Sequence, residues 1–442
     1  MNASPNLPPS PSSSVRPRWS RFLFSVAVVA ALAAALANGW YKYGVFLELT
    51  RAREGNLWPD GRPVALDFIQ FAAVSEAWKR GRIDQLYSST GTQHELMELS
   101  AELPCTFGHL LTFNYPPFFT WLLRPLAPFD YLQRFVGWTL IQCAFAAGAL
   151  ACWRSELDRR SFVVVAIAWV LSPSVVTELT IGQCSFVALA SISGTLCLLN
   201  RGRDFVAGLA LSVLLYKPTL GIVLGPLLVT AGRWRLVLGV ATGALLLGIA
   251  SLAVSLKACK DYPNIARELW IMATSHPDFF ARHFNLLGFV TTVSSRTPEE
   301  FNWVRRAFVV VPSVLLLLGT ARAWCNPWRP GTMSWDAGAA ATVLTTLVAT
   351  PYLYAYDTVL LGVAVVYSVK TWDARPEWHR WFILTCVTIA ECFVAGGLSL
   401  LDWMREHWHT RLQLAPIALT AWAVLEIRWA NAAKRLTAEE AA

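Results

Sequence analysis

The sequence predicts an all-α, polytopic integral membrane protein with about twelve membrane segments (ten to twelve) and two long extracytoplasmic loops. Three observations carry that expectation. Of the 442 residues, 55% are hydrophobic and only 15% charged, and the mean hydropathy is +0.44. Apolar runs recur along most of the chain, many near the roughly 20 residues with which a helix crosses a ~30 Å hydrocarbon core. Lys and Arg gather at the ends of those runs, so the net charge of +8 reads as a topology signal. It is not the basic stripe of a nucleic-acid binder.

Taken in order, residues 1–20 are rich in Pro and Ser and close on Arg16 and Arg18, the pattern of a disordered cytoplasmic tail. A single membrane domain is expected over 21–430 and a cytoplasmic C-terminal tail over 431–442. The run 22–38 has the basic flank and Ala-rich end of a signal peptide, but the many spans after it favour a retained first helix. Residues 41–130 mix Pro, Gly and charge and form the first extracytoplasmic loop, with an amphipathic helix over 64–81. Apolar runs follow at 131–153, 161–177, 184–199, 204–216, 219–231 and 236–256. The second extracytoplasmic loop covers 257–303, and further runs lie at 304–320, 336–349, 356–369, 381–400 and 412–427. The runs on either side of Lys217 and Pro218 are too short to cross comfortably and predict a broken helix or a re-entrant pair.

With the N-terminus inside, Arg154, Arg159, Arg160, Arg201, Arg203, Arg233, Arg322, Lys370 and Arg375 fall at cytoplasmic ends. Both long loops and the turns after Thr177 and Ala349 then share the outer face. The 21 Trp suit headgroup depth, and Trp40, Trp121, Trp153, Trp234 and Trp403 flank spans. The nine Cys include no CxxC pair and serve as small apolar residues. Cys105 and Cys259 lie in the two loops, where an oxidising compartment would allow them to pair.

A charge at membrane depth costs at least a few kcal/mol, so such groups are functional candidates. Asp67, alone among apolar neighbours in Ala-Leu-Asp-Phe-Ile-Gln-Phe, suits a general base that takes a proton from an attacking hydroxyl; an N-cap for the next helix is the equal alternative. Lys217, beside a Pro-broken helix, suits an anion such as a phosphate; a snorkelling flank lysine is the alternative. Gly182 and Gln183 form a tight turn in which the amide can bond a sugar hydroxyl, or serve the turn alone. His276, His283 and Asn285 in the second loop, with Tyr352, Tyr354, Tyr356 and Asp357 in a later turn, suit carbohydrate, as they also suit an interfacial belt. Two histidines seven apart with no third ligand do not make a metal site. No Walker A, GxSxG or HExxH pattern appears, which leaves nucleotide-binding, hydrolase and zinc-protease chemistry unsupported.

In sequence order these features resemble glycosyltransferase family 87 of the membrane-embedded GT-C superfamily. The resemblance rests on one N-terminal span, Asp67 in "LDF", "GRIDQLY" (81–87), "FNYPPFFTWLLRPLAPF" (113–129), "IGQCSFVAL" (181–189), "YKPTLGIVLGPLL" (216–228) followed by "GRWR", and "HFNLLG" (283–288). The stretch 88–108 is longer and more polar than the family pattern. The resemblance implies a GT-C fold in the plasma membrane and a polyprenyl-phosphate-sugar donor, mannose foremost. It also implies an extracytoplasmic lipid or glycan acceptor and no nucleotide at the site; in-line displacement would invert the anomeric carbon, and the outer loops hold no carboxylate cluster of the DxD kind, which favours metal independence. Asp67 would then be the catalytic base. Lys217 would meet the donor phosphate, and Gln183, Tyr115, His276, His283, Asn285 and Asp357 would bind substrate. Two other classes remain open: a transporter or flippase of a lipid-linked sugar, which should show repeated halves, and a non-catalytic membrane scaffold.

Overall fold

The computed structural model describes residues 18–88, 95, 113–221, 232–275, 283–294, 296, 300–325, 329–408 and 412–439. Most of the expected N-terminal tail, Cys105, His276 and most of the run 219–231 lie outside the described residues. Among the described residues the secondary structure is helical, with no strand beyond isolated bridges.

The principal helices are α1 (Arg18–Arg51), α2 (Ile69–Lys79), α3 (Tyr131–Glu156), α4 (Arg159–Val170), α5 (Pro173–Ile181), α6 (Ser185–Asn200), α7 (Asp204–Ser212) and α8 (Trp234–Val254). They are followed by α9 (Leu256–Ser275), α10 (Leu286–Ser294), α11 (Trp303–Trp324), α12 (Met333–Ala349), α13 (Leu361–Lys370), α14 (Glu377–Trp408) and α15 (Ala415–Glu439). Four of these, Ser25–Arg51 within α1 together with α3, α8 and α11, are long and apolar enough to cross a bilayer. α4 and α5 meet at a 50° bend at Ser172-Pro173 and make a fifth if they count as one span, since Pro173 cannot continue the ladder of the helix before it. The expected count of about twelve is not reached among the described residues: beyond these four or five, only two shorter apolar helical stretches, Ser185–Asn200 and Asp204–Tyr216, are present.

Lipid is the solvent that explains the outer surface. Val136 and Leu140 on α3, Val164 and Ile167 on α4, Leu238 and Leu245 on α8, and Phe308 and Leu315 on α11 are all exposed. So large an apolar surface marks a membrane interface. Inside, backbones approach closely where side chains are smallest: a Cβ on Gly208 of α7 would meet Leu236 O at 2.2 Å, and one on Gly239 of α8 would meet Phe205 O at 2.1 Å. This is small-residue packing of the membrane type.

Two ends are recognisable. At one, Lys370 closing α13 bonds Glu156 Oε2 of α3 at 2.6 Å and Asp336 Oδ1 of α12 at 2.9 Å, and Asn200 closing α6 bonds the same Glu156 at 2.6 Å. Beside them Arg375 and Glu426 form a fully buried pair at 2.7 Å. At the other end lie the start of α3, the start of α6 and the end of α12, joined by the segments described next.

Two expectations change here. The second loop is not open chain: its first half is α9 and its second contains α10. The helix expected over 64–81 begins as a 3₁₀ turn at Leu66–Phe68 and becomes α2 at Ile69, because Ala65 before it is in the left-handed conformation and cannot belong to a right-handed helix.

Candidate active site

Asp67 is presented by a turn under strain. Ala65 adopts φ 56°, ψ 70°, the only positive φ at a non-glycine among the described residues. A left-handed L-residue costs roughly 1–2 kcal/mol. The surroundings over-determine it: Tyr131 Oη donates to Val64 O at 2.6 Å, and Phe68 packs on the rings of Tyr131 and Phe135 at 5.6 and 5.4 Å. Asp67 therefore points away from the core and is half-buried. Its Oδ2 accepts a hydrogen bond from Gln183 Nε2 at 2.7 Å. The residue at the N-cap of α2 is Phe68, with no side-chain cap, so the capping alternative for Asp67 gives way.

Gln183 reaches Asp67 because α5 ends on Gly182 at φ 76°, ψ 39°, a left-handed cap that glycine adopts without cost. A Cβ there would come within 2.7 Å of Phe68 Cβ. Trp138 Nε1 donates to Gly182 O and Gln183 O at 3.0 and 3.2 Å. The amide oxygen of Gln183 accepts from Tyr115 Oη at 3.3 Å. Tyr115 belongs to an aromatic wall, stacked on Phe119 at 5.0 Å and Tyr216 at 6.0 Å. Tyr216 in turn donates to Cys184 O at 3.0 Å.

One residue past that wall stands Lys217, where the chain turns out of a 3₁₀ segment, Val213–Tyr216. Its ammonium bonds both oxygens of Asp357, at 2.5 and 2.6 Å, and lies 5.3 Å from the ring centroid of Tyr356. Asp357 is fully buried. It also accepts from Ser185 Oγ at 2.7 Å and from Tyr354 N at 3.1 Å. Ser185 N donates to Glu178 Oε1 at 2.5 Å. Asp67 and Lys217, 150 positions apart in sequence, thus belong to one cluster through Gln183, Ser185 and Asp357.

His283 and Asn285 join the same cluster from below the 350–357 turn. His283 pairs with Tyr354 in an isolated bridge, and its ring lies 4.9 Å from Tyr352 and 4.4 Å from Tyr354. Asn285 donates to Thr350 O and accepts from Gly288 N, both at 2.7 Å, and both residues are fully buried. Asn285 and Asp357 therefore bond to the protein itself, holding the turn and the lysine in place. Three contributors were not anticipated. Glu178 carries the same signal as Asp67, a carboxylate in an apolar run, and could have been found; Ser185 and the Tyr354 amide leave no trace in sequence.

A helical membrane body with a carboxylate, an amide and an ammonium gathered at one end defines a membrane-embedded protein with a polar site. The model of glycosyltransferase family 87 matches residues 113–351, more than half of the chain, and the chain belongs to that family and is a glycosyltransferase. Tyr115, Gln183, Lys217, His283 and Asn285 fall inside the matched stretch, and Asp67 and Asp357 outside it. No curated protein and no solved structure matches the chain.

Proposed function

We propose that the protein transfers a hexose, mannose foremost, from a polyprenyl-phosphate-sugar donor to an extracytoplasmic lipid or glycan acceptor at the plasma membrane. The observation that carries this reading is the half-buried Asp67 carboxylate held by Gln183 at 2.7 Å, in one cluster with the Lys217 ammonium. Asp67 takes the proton of the acceptor hydroxyl as that oxygen attacks the anomeric carbon. The bond from that carbon to the phosphate oxygen breaks, polyprenyl phosphate leaves with the electron pair, and the configuration inverts.

Lys217 offsets the charge that grows on the departing phosphate. An ammonium carries three donors, and two serve Asp357; Asp357 fixes the direction of the third. Charge stabilisation by a preorganised cation and positioning together supply the catalysis, and no metal is required by this scheme. Gln183 orients the base, Tyr115 orients Gln183, and His283 with the tyrosines forms the wall against the sugar. Membership in a glycosyltransferase family favours transfer over the transporter and scaffold readings.

The test uses purified protein in lipid nanodiscs with a polyprenyl-phosphate-[¹⁴C]hexose and a membrane lipid extract. Asp67→Asn should lower transfer by about 10²–10⁴ with the protein still folded; transfer equal to wild type removes the base. Lys217→Ala should raise the donor KM or lower kcat more than it affects the acceptor, and unchanged donor kinetics refute its role.

A further inference from the structure

Arg124 opens the short 3₁₀ turn Arg124–Leu126 and is exposed. Among the described residues its guanidinium makes no hydrogen bond and no ion pair. It rests instead on two rings, 5.0 Å from the centroid of Trp78 and 4.9 Å from that of Trp121. The two indoles lie 5.3 Å apart, and each is pinned by its own N–H. Trp78 Nε1 donates to Thr120 O at 3.1 Å, and Trp121 Nε1 to Ala250 O at 3.0 Å. The cation is thereby held over fixed rings while its N–H donors stay open. Glu76, the one carboxylate of α2, does not serve it, being shared already by Lys79, Arg80 and Arg134.

The anchor of Trp121 sets the depth of this cation. Ala250 stands near the end of α8, whose Leu245, Ile249 and Leu252 are exposed to lipid and whose last residue is Val254. Phe118 N donates to Ser251 Oγ at 3.2 Å, which ties the same segment to the same level. Acyl chains that cover α8 therefore end at the level of Arg124, where indoles settle at headgroup depth.

A guanidinium fork matches the oxygens of a phosphate. One exposed cation holds a free anion weakly, but a phosphate carried on a lipid adds the burial of its chains. The site is also set apart from Asp67. That residue precedes the first turn of α2 and Trp78 lies in its last, a rise of about 16 Å along the helix. A headgroup on Arg124 is thus a resident lipid and not a reacting one.

We infer that Arg124, seated on Trp78 and Trp121, binds the phosphate of an anionic membrane phospholipid whose chains lie along α8. This site stands apart from the proposed transfer and is tested by binding alone, so its failure leaves that reading untouched.

Tail-labelled phosphatidylglycerol and phosphatidylcholine are each titrated with the full chain in neutral detergent and followed by fluorescence anisotropy. Wild type should bind the anionic lipid about tenfold or more tightly than the zwitterionic one, and added salt should erode that difference. Arg124→Gln should lose about tenfold in affinity for phosphatidylglycerol, the scale of one charge-assisted hydrogen bond, with phosphatidylcholine unchanged. Arg124→Lys, which keeps the charge without the fork, should fall between the two. Arg306→Gln, at another exposed arginine near the start of α11, should bind as wild type does. No preference between the lipids, a preference that salt leaves untouched, unchanged binding by Arg124→Gln, or an equal loss in Arg306→Gln each overturns the site; the salt dependence needs no variant. Displacement of the labelled lipid by polyprenyl phosphate at lower concentration than by unlabelled phosphatidylglycerol assigns the site to the carrier lipid and overturns the phospholipid. Displacement by inorganic phosphate at an equally low concentration overturns the lipid altogether.

Discussion

The Asp67–Gln183 contact shows how a single side chain is prepared for acid–base work. A carboxylate at the membrane edge is free to rotate, and one donor at 2.7 Å removes that freedom. Gln183 is held from its other side by Tyr115, so the amide's orientation is assigned by two neighbours. Replacing Gln183 by Leu should lower kcat about tenfold to a hundredfold, the equivalent of a hydrogen bond to a charged group worth about 1.5–3 kcal/mol. The donor KM should move less. Steady-state kinetics on both substrates checks this, and an unchanged kcat would show that Asp67 needs no help. At this scale the sequence exposed the ionisable residues through their cost in an apolar run, Asp67 and Lys217 above all. It singled out Gln183 and Asp357 as well, but not that they hold Asp67 and Lys217, and Ser185 is an ordinary helix-start residue until folding places it beside Asp357.

Among the elements, the α5–α6 hairpin is the piece on which the geometry depends. Ser172 caps α5 by accepting from Val175 N, Pro173 sets its first turn, and Gly182 ends it in a left-handed conformation. The loop is therefore short and stiff, and Gln183 and Ser185 emerge on opposite sides of one turn, toward Asp67 and Asp357. Gly182→Ala should destabilise the protein by about 1–2 kcal/mol from the backbone conformation alone, with further loss from the 2.7 Å approach to Phe68 Cβ. Thermal unfolding in detergent measures it, and transfer should fall along with the melting temperature. An alanine variant as stable and active as wild type would mean that the turn relaxes freely. The break at Lys217-Pro218 was legible from two short apolar runs. The second break, at Ser172-Pro173, was hidden inside a run that looked long enough to cross.

In the molecule as a whole, polar groups separate to two ends with an apolar body between them. The end opposite the site is clamped by Lys370 between Glu156 and Asp336 and by the Arg375–Glu426 pair. Glu426 also accepts from Ser368 Oγ at 2.7 Å and Trp422 Nε1 at 3.0 Å. Removing one member of a buried pair strands the other charge, so Arg375→Met should cost about 3–5 kcal/mol, whereas Arg375→Met with Glu426→Leu should recover most of it. Unfolding of both variants by denaturant separates these outcomes; equal damage by both would assign the stability to packing and not to charge. The sidedness of the site is a property of the same scale. Leu66, 44% exposed beside Asp67, should as Leu66→Cys react with a membrane-impermeant maleimide added outside intact cells. Labelling only after lysis would put the site on the cytoplasmic face.

Composition, hydropathy and the placement of basic residues determined by themselves that this chain is helical and lives in lipid, because the bilayer demands internal backbone bonding and apolar surface whatever the arrangement of helices. The ordered motifs that resemble family 87 were likewise present in one dimension. What only the tertiary structure decided is which distant residues meet. Asp67, Gln183, Lys217 and Asp357 come from four separate segments, and no local periodicity records that Lys217 is matched to Asp357, 140 positions on. Nor could the sequence distinguish a helix that crosses from one that only packs: α6 and α12 are buried on nearly every side, and burial among other helices selects the same apolar residues as burial in lipid.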